Sequence, residues 1–597
     1  MTAQPRLLIS APSSGHGKTA IAVGMLAACV ARGVPAAGFK VGPDHTDAAY
    51  LGLAAGRPGR NLDPRLVGAA RIAPLFGHGA AGSQIAVIEG AMGLFDSLTG
   101  QPEIDGTAAV AAALRAPVAL VVDVAAMGHS VAALVHGFRM FDEMVHLGGV
   151  ILNRVASSRH EQLLRTALDD IGMPVLGALR RGDLPNVLPA RAHGPVPVAQ
   201  LGGDAGRAVH RLGEAVANTI DLDQLISLAG SAPSLPGPIW SPAEAIGSVV
   251  ELPDRPVIAL AGGPGAPYTF VETAELLDAA GADVVVVDPL HDETLPAGVR
   301  GLMIGSGLPE GYAEELSANR RLCDEVARLA QGGFPVVAEG VGLPWLTRDF
   351  DGRPMCGVLD AATVTGEQTV AGYREATAPS TSSLAPAGAR ITGYKQNRAI
   401  VTPRAGQVPA WTWAGGYPEG FVWRQVHASQ LGLHWAAAPE IARRLIIAAT
   451  SVGEPGADPV TPFVSGQAGN APAAFVPGQA GNAPGPFVPG QGGNAAASFG
   501  TAPAARGTAS SGSGSVPAGS RSVPAGSGSA QAGSGSAQAG GAAGQVRVND
   551  EDASDGDEAT DAMPISADPE DAAAGRSVAT AAGTNDDADT ADVVPHP

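Results

Sequence analysis

The segment Ala11-Pro12-Ser13-Ser14-Gly15-His16-Gly17-Lys18-Thr19 lies between a predicted strand, Arg6–Ile9, and a predicted Ala-rich helix, Ala20–Ala31. A glycine-rich turn that opens a helix with Lys and Thr is typical of a P-loop, where backbone N–H groups attract phosphate oxygens. Pro12 stands where the strict pattern has its first glycine, so the motif is a variant. The residues expected to bind ATP here are Ser14, Gly15, Gly17, Lys18 and Thr19.

Short β-branched runs alternate with Ala-rich helical stretches on both sides of this segment. The predicted strands of the first series are Arg6–Ile9, Ala36–Lys40, Ile85–Ile88, Val118–Val122, Gly149–Leu152 and Pro174–Leu176. A second series comprises Val257–Ala261, Asp283–Val287, Gly301–Ile304 and Phe334–Ala338. Strands that alternate with helices indicate parallel sheets, so the predicted fold class is α/β with two parallel-sheet domains.

The chain has 597 residues, which is too long for a single hydrophobic core. We predict a P-loop domain over 1–200, a Pro-rich linker over 201–255, a second domain over 256–449 and a tail over 450–597. The tail contains a twelve-residue repeat beginning at Phe463, Phe475 and Phe487, then Ser/Gly/Ala tracts and an acidic end. Such sequence buries too little apolar surface to offset its ordering entropy, so we expect it to be disordered.

Composition excludes several classes of protein. The net charge is −20, roughly half or more of it in the tail, and no basic patch indicates a nucleic-acid partner. No apolar stretch is long enough to span a membrane, and we find no secretory signal. Three cysteines, Cys29, Cys323 and Cys356, fit a reducing compartment. We therefore expect a cytoplasmic protein.

Acidic residues follow two of the predicted strands. Glu89 follows Ile85–Ile88, and Asp44 and Asp47 follow Ala36–Lys40. Carboxylates at the carboxyl ends of parallel strands face the ligand crevice, where they can bind Mg²⁺. The expected metal ligands are Thr19, Asp44 and Glu89.

The segment Phe334-Pro-Val-Val-Ala-Glu-Gly340-Val-Gly342-Leu343 predicts a buried strand that runs into a sharp turn. This is the layout of a nucleophile elbow, in which a strained turn presents one side chain above the sheet. The residue at the tip is Gly340, which has no side chain. The sequence thus indicates a scaffold for nucleophilic catalysis that lacks its nucleophile.

Taken together, these motifs resemble cobyrinic acid or hydrogenobyrinic acid a,c-diamide synthases of cobalamin biosynthesis. The matching stretches in the first domain are Ala11–Thr19, Phe39–Asp47, Gly56–Asp63, Glu89–Asp96, Val121–Asp123, Ser130–Leu134 and Gly149–Arg154. In the second domain they are Tyr312–Asn319 and Met355–Val358. The resemblance covers about residues 1–447 and leaves out the tail.

The resemblance implies a dethiobiotin-synthetase-like ATP domain followed by a class I glutaminase domain. Such enzymes use MgATP to phosphorylate two acetate carboxylates of a corrin ring, and ammonia from glutamine then displaces phosphate. By this resemblance Asn153 contacts adenine, Lys18 handles phosphate, and Asp47 and Asp96 lie near the carboxylate and the incoming ammonia.

Three glutaminase motifs depart from the family pattern. The nucleophile position holds Gly340, and the base position holds Gly432 within Ala428-Ser-Gln-Leu-Gly-Leu-His434. A third stretch is Gly393-Tyr-Lys-Gln-Asn397, where the family has Gly-His-Glu-Phe-His. Glycine cannot replace a thiolate as a covalent nucleophile. His16, inside the phosphate turn, is expected to be a solvent-facing loop residue, and His427 a surface or structural one.

The leading hypothesis is therefore an ATP-dependent amide-forming ligase that acts on a corrinoid with free or externally supplied ammonia. A second hypothesis is a non-catalytic ATP- or corrinoid-binding paralogue that partners an active synthase. A third is a partition-type ATPase, which the absence of an early lysine at Ser13 and Ser14 disfavours. A homodimer, or a pair with an active paralogue, is compatible with each of the first two.

Overall fold

The computed structural model describes residues 4–188, 202–247, 254–263, 266–307, 310–413 and 416–452. The predicted tail, with its repeats and its acidic end, lies outside the described residues except for its first three positions. None of the helices within these ranges combines the length and the apolar character needed to cross a membrane.

The first sheet has seven strands, all parallel, in the order β3-β2-β4-β1-β5-β6-β7. Its members are β1 (Arg6–Ser10), β2 (Ala36–Val41), β3 (Arg60–Leu62), β4 (Ile85–Glu89), β5 (Val118–Asp123), β6 (Leu147–Val155) and β7 (Val175–Arg180). The order reverses on either side of β1, and such a point is where open α/β sheets bind ligands. The phosphate-binding turn follows β1, so it lies at that point.

Helices cover both faces of this sheet because its strands are apolar on both faces. The helices of the first half are α1 (Lys18–Ala31), α2 (His45–Ala55), α3 (Pro64–Val67), α4 (Ile72–Ala80), α5 (Pro102–Asp105), α6 (Thr107–Leu114), α7 (Ser130–Phe141), α8 (Ser158–Asp169), α9 (Gly202–Thr219), α10 (Leu222–Gly230) and α11 (Pro242–Ile246). One hydrophobic cluster joins the sheet to α1, α2, α9 and α10, and another joins it to α3, α4, α6, α7 and α8.

The interval 201–255, expected to be a linker, holds α9, α10 and α11 in its described part. Helix α9 packs on α1 through Leu212 and Val216, both fully buried. Asp221 begins α10 by accepting backbone hydrogen bonds from Asp223 and Gln224. The apolar spacing of Val209, Leu212 and Val216 is that of an amphipathic helix.

The second half is built on two further sheets. Its strands are β8 (Val257–Gly263), β9 (Ala266–Pro267), β10 (Asp283–Val287), β11 (Val299–Ile304), β12 (Val336–Glu339), β13 (Asp349–Phe350), β14 (Arg353–Pro354), β15 (Ala362–Thr377), β16 (Arg390–Thr402), β17 (Trp411–Trp413), β18 (Tyr417–Glu419), β19 (Phe421–Trp423) and β20 (Val426–Ser429). Its helices are α12 (Val271–Ala279), α13 (Ala313–Ala318), α14 (Arg320–Gln331), α15 (Leu343–Leu346) and α16 (Glu440–Ser451). The order β10-β8-β11-β12-β20-β19 forms a sheet that is parallel except at β19 and at the short β9.

The remaining sheet, in the order β14-β13-β15-β17-β18, was not predicted. Its main feature is an antiparallel pair in which β16 runs along β15 from Ala362↔Thr402 to Thr377↔Arg390. The fold class predicted from sequence is confirmed for both parallel sheets.

The two halves belong to one compact unit and meet through buried charges. Arg60, at the start of β3, donates to Glu272 at 2.8 Å and to Glu275 at 3.0 Å on α12. His78 on α4 also contacts Glu275, at 3.0 Å. Tyr373 on β15 donates from its hydroxyl to the Asp63 carboxylate at 2.8 Å. These contacts fix one half on the other, because a buried charge is costly without its partner.

The second half buries a neutral histidine. His427 on β20 is 1% exposed, lies 3.0 Å from the Ser382 hydroxyl through Nδ1 and meets Trp411 edge-on. Burial lowers the pKa of His427 to about 3. In the unfolded chain His427 takes up a proton near its ordinary pKa, whereas in the folded chain it does not. The contribution of His427 to the free energy of unfolding is therefore fully present above about pH 6.5 and is lost as the pH falls towards 3.

The substitution His427→Asn should therefore flatten the pH dependence of stability. We expect the loss of unfolding free energy between pH 6 and pH 4 to shrink by up to about 1.4 kcal/mol per pH unit, the linkage of one proton. Denaturant unfolding at a series of pH values measures it. His210→Asn, at an exposed position of α9, is the control and should leave the wild-type slope. Equal slopes for the two variants would contradict the assignment.

Candidate functional site

The phosphate-binding turn adopts the conformation that its glycines permit. Gly15 and Gly17 have φ of 85° and 92°, in the left-handed region that side-chain-bearing residues rarely occupy. Gly17 precedes α1, so the first backbone N–H groups of that helix are available to an anion. Lys18 is 7% exposed and donates to the Ser13 carbonyl at 2.9 Å, which folds its side chain over the turn.

A chain of charged side chains runs from this turn across the sheet. The Thr19 hydroxyl donates to Glu89 Oε1 at 2.5 Å. The Lys40 ammonium contacts the same oxygen at 2.9 Å and Asp47 Oδ2 at 2.6 Å. Glu89, Lys40 and Asp47 are all at most 5% exposed. One buried ammonium thus pairs with two buried carboxylates.

Two oxygens of this chain suit a divalent cation. Glu89 Oε2 is buried and has no hydrogen-bond partner among the described residues. The Thr19 hydroxyl lies beside the same carboxylate. Mg²⁺ commonly binds to one or two protein oxygens, and water and phosphate oxygens occupy its other coordination positions. A magnesium site therefore does not require a larger cluster of acidic residues. The residues present therefore fit a magnesium ion between the P-loop and β4.

The other predicted acids occupy different positions. Asp44 caps α2, and its carboxylate accepts the Asp47 backbone N–H at 2.8 Å. The exposed Asp96 lies on the loop after β4 and accepts the Gly93 N–H at 2.8 Å. Asp44 and Asp96 thus lie on loops at the carboxyl edge of the sheet, as the strand positions predicted, and their roles stay predictions.

Asn153, expected to contact adenine, touches the P-loop itself. Its side-chain amide donates to the His16 carbonyl at 2.9 Å from the end of β6. A Cβ on Gly17 would lie 2.7 Å from the Asn153 amide nitrogen. Asn153 therefore supports the turn in this structure, and its contact with a base stays a prediction.

His16 is not the solvent-facing loop residue that the sequence suggested. Its Nδ1 accepts the Asp123 backbone N–H at 2.8 Å, and its Nε2 lies 3.1 Å from the Ser13 hydroxyl. Burial and the nearby Lys18 lower the pKa of His16, which favours the neutral ring that accepts this bond. His16 thus ties the turn to the end of β5.

The Lys18 ammonium has an unusual environment. Burial and then the Lys40 charge lower the pKa of Lys18 to about 8, against the opposing influence of Glu89 and Asp96. Lys18 is therefore still largely protonated at neutral pH, and it is held close to a second positive charge. Negative phosphate oxygens at this place would relieve that repulsion.

Sequence reasoning missed Lys40. It lies in β2, where every residue is buried, and a lysine is almost never buried without a partner. That signal was present in Ala36-Ala-Gly-Phe-Lys-Val41. Its partners could not be identified from sequence because Asp47 and Glu89 come close only when α2 and β4 pack beside β2.

The elbow in the second half has the predicted layout. Strand β12 ends at Glu339, Gly340 has φ of 54°, and a single 3₁₀ turn over Gly340–Gly342 leads into α15. All residues from Val336 to Leu346 are buried. Glu339 accepts from the Leu433 N–H at 2.9 Å and from Trp435 Nε1 at 2.8 Å, and burial raises the pKa of Glu339 to about 7.

Gly340 and Gly432 face the same side chain. A Cβ on Gly340 would lie 2.7 Å from Ser306 Cβ and 2.9 Å from Ser306 Cα. A Cβ on Gly432 would lie 2.9 Å from both Ser306 Cβ and its hydroxyl oxygen. Ser306 therefore fills the space that a side chain at Gly340 or Gly432, the positions predicted for the nucleophile and the base, would enter.

Comparison with known proteins supports the same assignment. The family model described as the CobQ/CobB/MinD/ParA nucleotide binding domain matches residues 7–196. The hydrogenobyrinate a,c-diamide synthase of Streptomyces coelicolor is 50% identical over 74% of this chain and 97% of that protein. Its counterpart in Thermobifida fusca is 43% identical over 75% of this chain and 97% of that protein.

This chain belongs to the a,c-diamide synthase family. A cobyrinate a,c-diamide synthase of Gloeobacter violaceus is also similar, 38% identical over 74% of this chain and 96% of its own length. The resemblance inferred from the motifs is thereby confirmed, and it extends through both halves.

Two cysteines and two histidines of the second half are buried. Cys323 and Cys356 are buried, and burial raises the pKa of Cys356. His434 lies beyond the end of β20, in a loop. It is fully buried, stacks on Phe270 and lies 3.6 Å from Glu272. His427 is buried in the core, so it is a structural histidine and not a surface one.

The substitution Gly340→Ala should be more destabilising than backbone strain alone explains. A positive φ costs about 1–2 kcal/mol for an L-residue, and overpacking against Ser306 adds about 1–3 kcal/mol. Gly352→Ala is the matched control, because Gly352 has φ of 73° but open space around its Cβ position. Denaturant unfolding compares the two variants. In a Ser306→Gly background the excess cost at Gly340 should shrink, and an unchanged excess would refute the packing explanation.

Proposed function

We propose that this chain catalyses the ATP-dependent amidation of two acetate carboxylates of hydrogenobyrinate or cobyrinate, in cobalamin biosynthesis, with free or externally supplied ammonia. The observation that carries the proposal is the contrast between two sites. The set Lys18, Thr19 and Glu89 is complete, whereas Gly340 and Gly432 face a space that Ser306 fills. The names of the relatives support the substrate class.

The first half-reaction would form an acyl phosphate. A carboxylate oxygen of the corrinoid attacks the terminal phosphorus of ATP, and the bond to the bridging oxygen breaks to release ADP. Phosphoryl transfer of this kind depends on positioning and charge neutralisation more than on covalent chemistry. Lys18 and the N–H groups of the turn would hold the phosphates. Mg²⁺ held by Thr19 and Glu89, with Asp44 as a further candidate, would supply additional positive charge.

The second half-reaction would form the amide. The ammonia nitrogen attacks the acyl carbon, the bond from that carbon to the phosphate oxygen breaks, and inorganic phosphate leaves. The nitrogen then loses a proton. Asp47 and Asp96 are the candidates to orient ammonia or accept that proton. Asp96 is exposed, whereas Asp47 is bound by Lys40, so Asp96 is the more available acceptor.

Glutamine is an unsuitable nitrogen source for this chain. Hydrolysis of its amide by a class I glutaminase needs a nucleophile at the elbow, and Gly340 supplies none. Cys323 and Cys356 lie on α14 and after β14, and both are buried in the core of the second half. Ammonia would therefore reach the acyl phosphate from solution or from another protein.

The nitrogen source is the sharpest test of the proposal. Full-length protein is incubated with ATP, Mg²⁺ and hydrogenobyrinate or cobyrinate, with either ammonium chloride or glutamine. We expect mass spectrometry to detect the diamide, with phosphate release, only in the ammonium reaction. Diamide formation with glutamine alone, or release of glutamate, would contradict the proposal for the elbow.

The substitution Lys18→Ala tests the phosphate site. We expect kcat of the ammonium reaction to fall by about 100-fold or more, as for loss of a group that stabilises transition-state charge. Arg321→Ala, at an exposed position of α14, is the control and should retain wild-type kcat. If calorimetry finds nucleotide binding but no substrate-dependent phosphate release occurs in the wild type, the non-catalytic paralogue is the correct alternative.

A further inference from the structure

Ser306 contacts both halves of the molecule. It lies on the loop after β11, and on one side it packs against Gly340 and Gly432. On its other side the Ser306 hydroxyl lies 2.9 Å from Nε2 of His45, the first residue of α2. The residue that fills the empty elbow is therefore hydrogen-bonded to the nucleotide-binding half.

His45 is surrounded by the second half. Its ring centroid lies 4.5 Å from that of Phe270, and Phe270 in turn stacks on His434 at 4.3 Å. Either imidazole nitrogen can share a hydrogen bond with a hydroxyl, and the Ser306 hydroxyl is the partner of His45 Nε2. The start of α2 is thus attached to the second half by a directional bond and by ring packing.

The same turn of α2 carries the acids that lead to the P-loop. Asp44 precedes His45 and accepts the Asp47 backbone N–H at 2.8 Å. Asp47 contacts Lys40 at 2.6 Å, and Lys40 contacts Glu89 at 2.9 Å. Glu89 accepts the Thr19 hydroxyl. A continuous series of contacts therefore joins Ser306 to the candidate magnesium ligands.

We propose that Ser306 is a positioning residue for the nucleotide site, which acts through His45 to fix the first turn of α2 and thereby the Asp47–Lys40–Glu89 series. The inference rests on the proposed function for its catalytic consequence only. The second half would then have a role that does not require glutamine hydrolysis. The residue that occupies the space at Gly340 and Gly432 positions the nucleotide site.

The two halves have other contacts, so loss of one hydroxyl should not separate them. Arg60 binds Glu272 and Glu275, and Tyr373 binds Asp63. The Tyr373 contact is a single hydrogen bond between the same two halves that ends on α3 instead of α2. Tyr373→Phe is thus a matched control for Ser306→Ala, because each variant removes one hydroxyl from the interface.

The first measurement is the magnesium concentration at half-saturation for binding of a non-hydrolysable ATP analogue, followed by calorimetry. We expect Ser306→Ala and His45→Phe each to raise it by about five-fold, the weight of one hydrogen bond. His45→Gln retains a side-chain amide and should recover part of the shift. Tyr373→Phe should match the wild type. Thermal unfolding confirms that each variant folds.

The second measurement is the kinetics of the ammonium reaction. For Ser306→Ala we expect kcat to fall by about five-fold with the KM for corrinoid unchanged, because the hydrogen bond acts on the phosphate side. The double variant Ser306→Ala/His45→Phe should be no worse than the poorer single variant, since both remove the same bond. Multiplying effects, or equal effects of Ser306→Ala and Tyr373→Phe, would overturn the proposal.

The two measurements separate this inference from the proposed function. If the wild type forms no diamide with any nitrogen source but the magnesium midpoint moves in Ser306→Ala and in His45→Phe and not in Tyr373→Phe, the proposed function fails and the positioning role stands. If diamide forms and the midpoint stays unchanged in Ser306→Ala and His45→Phe, the positioning role fails and the proposed function stands.

Discussion

The nucleotide site depends on the ion pairs that Lys40 makes with Glu89 and Asp47. All three charged side chains are buried, and a buried charge that loses its partner costs several kcal/mol. The first turn of α2 must therefore stay beside β2 and β4. This requirement places Thr19 against Glu89 and leaves one Glu89 oxygen available to a cation. The ion pairs of Lys40 thus determine the geometry of the nucleotide site as much as the P-loop does.

The interface between the halves follows the same principle. Arg60 is 8% exposed, and the glutamates that neutralise it come from α12 of the other half. Neither half is electrostatically complete alone, since separation would leave Glu272 and Arg60 without each other. The first half consequently depends on the second half for the partners of its buried Arg60.

Local features of the site could be predicted from sequence, and non-local ones could not. The turn around Gly15, Gly17 and Lys18 was predicted because adjacent residues determine its conformation. The position of Glu89 was predicted because the carboxyl ends of parallel strands lie at one edge of the sheet. Lys40 and Ser306 escaped prediction because their partners are distant in sequence and meet them only through packing. The β15–β16 pair escaped for the same reason. The apolar spacing of helix α9 indicates a helix, but the prolines later in the same interval favoured a linker.

The two glycines at the elbow do not leave an empty space. Gly340 and Gly432 have no Cβ, and Ser306 comes within 3 Å of where each Cβ would lie. The three positions are therefore compatible only as a set, because a side chain at either glycine requires Ser306 to move. Moving Ser306 would in turn break its bond to His45 and disturb the start of α2. Residues coupled in this way do not change independently. A side chain at Gly340 or Gly432 would thus also require a change at Ser306, with loss of the bond from Ser306 to His45.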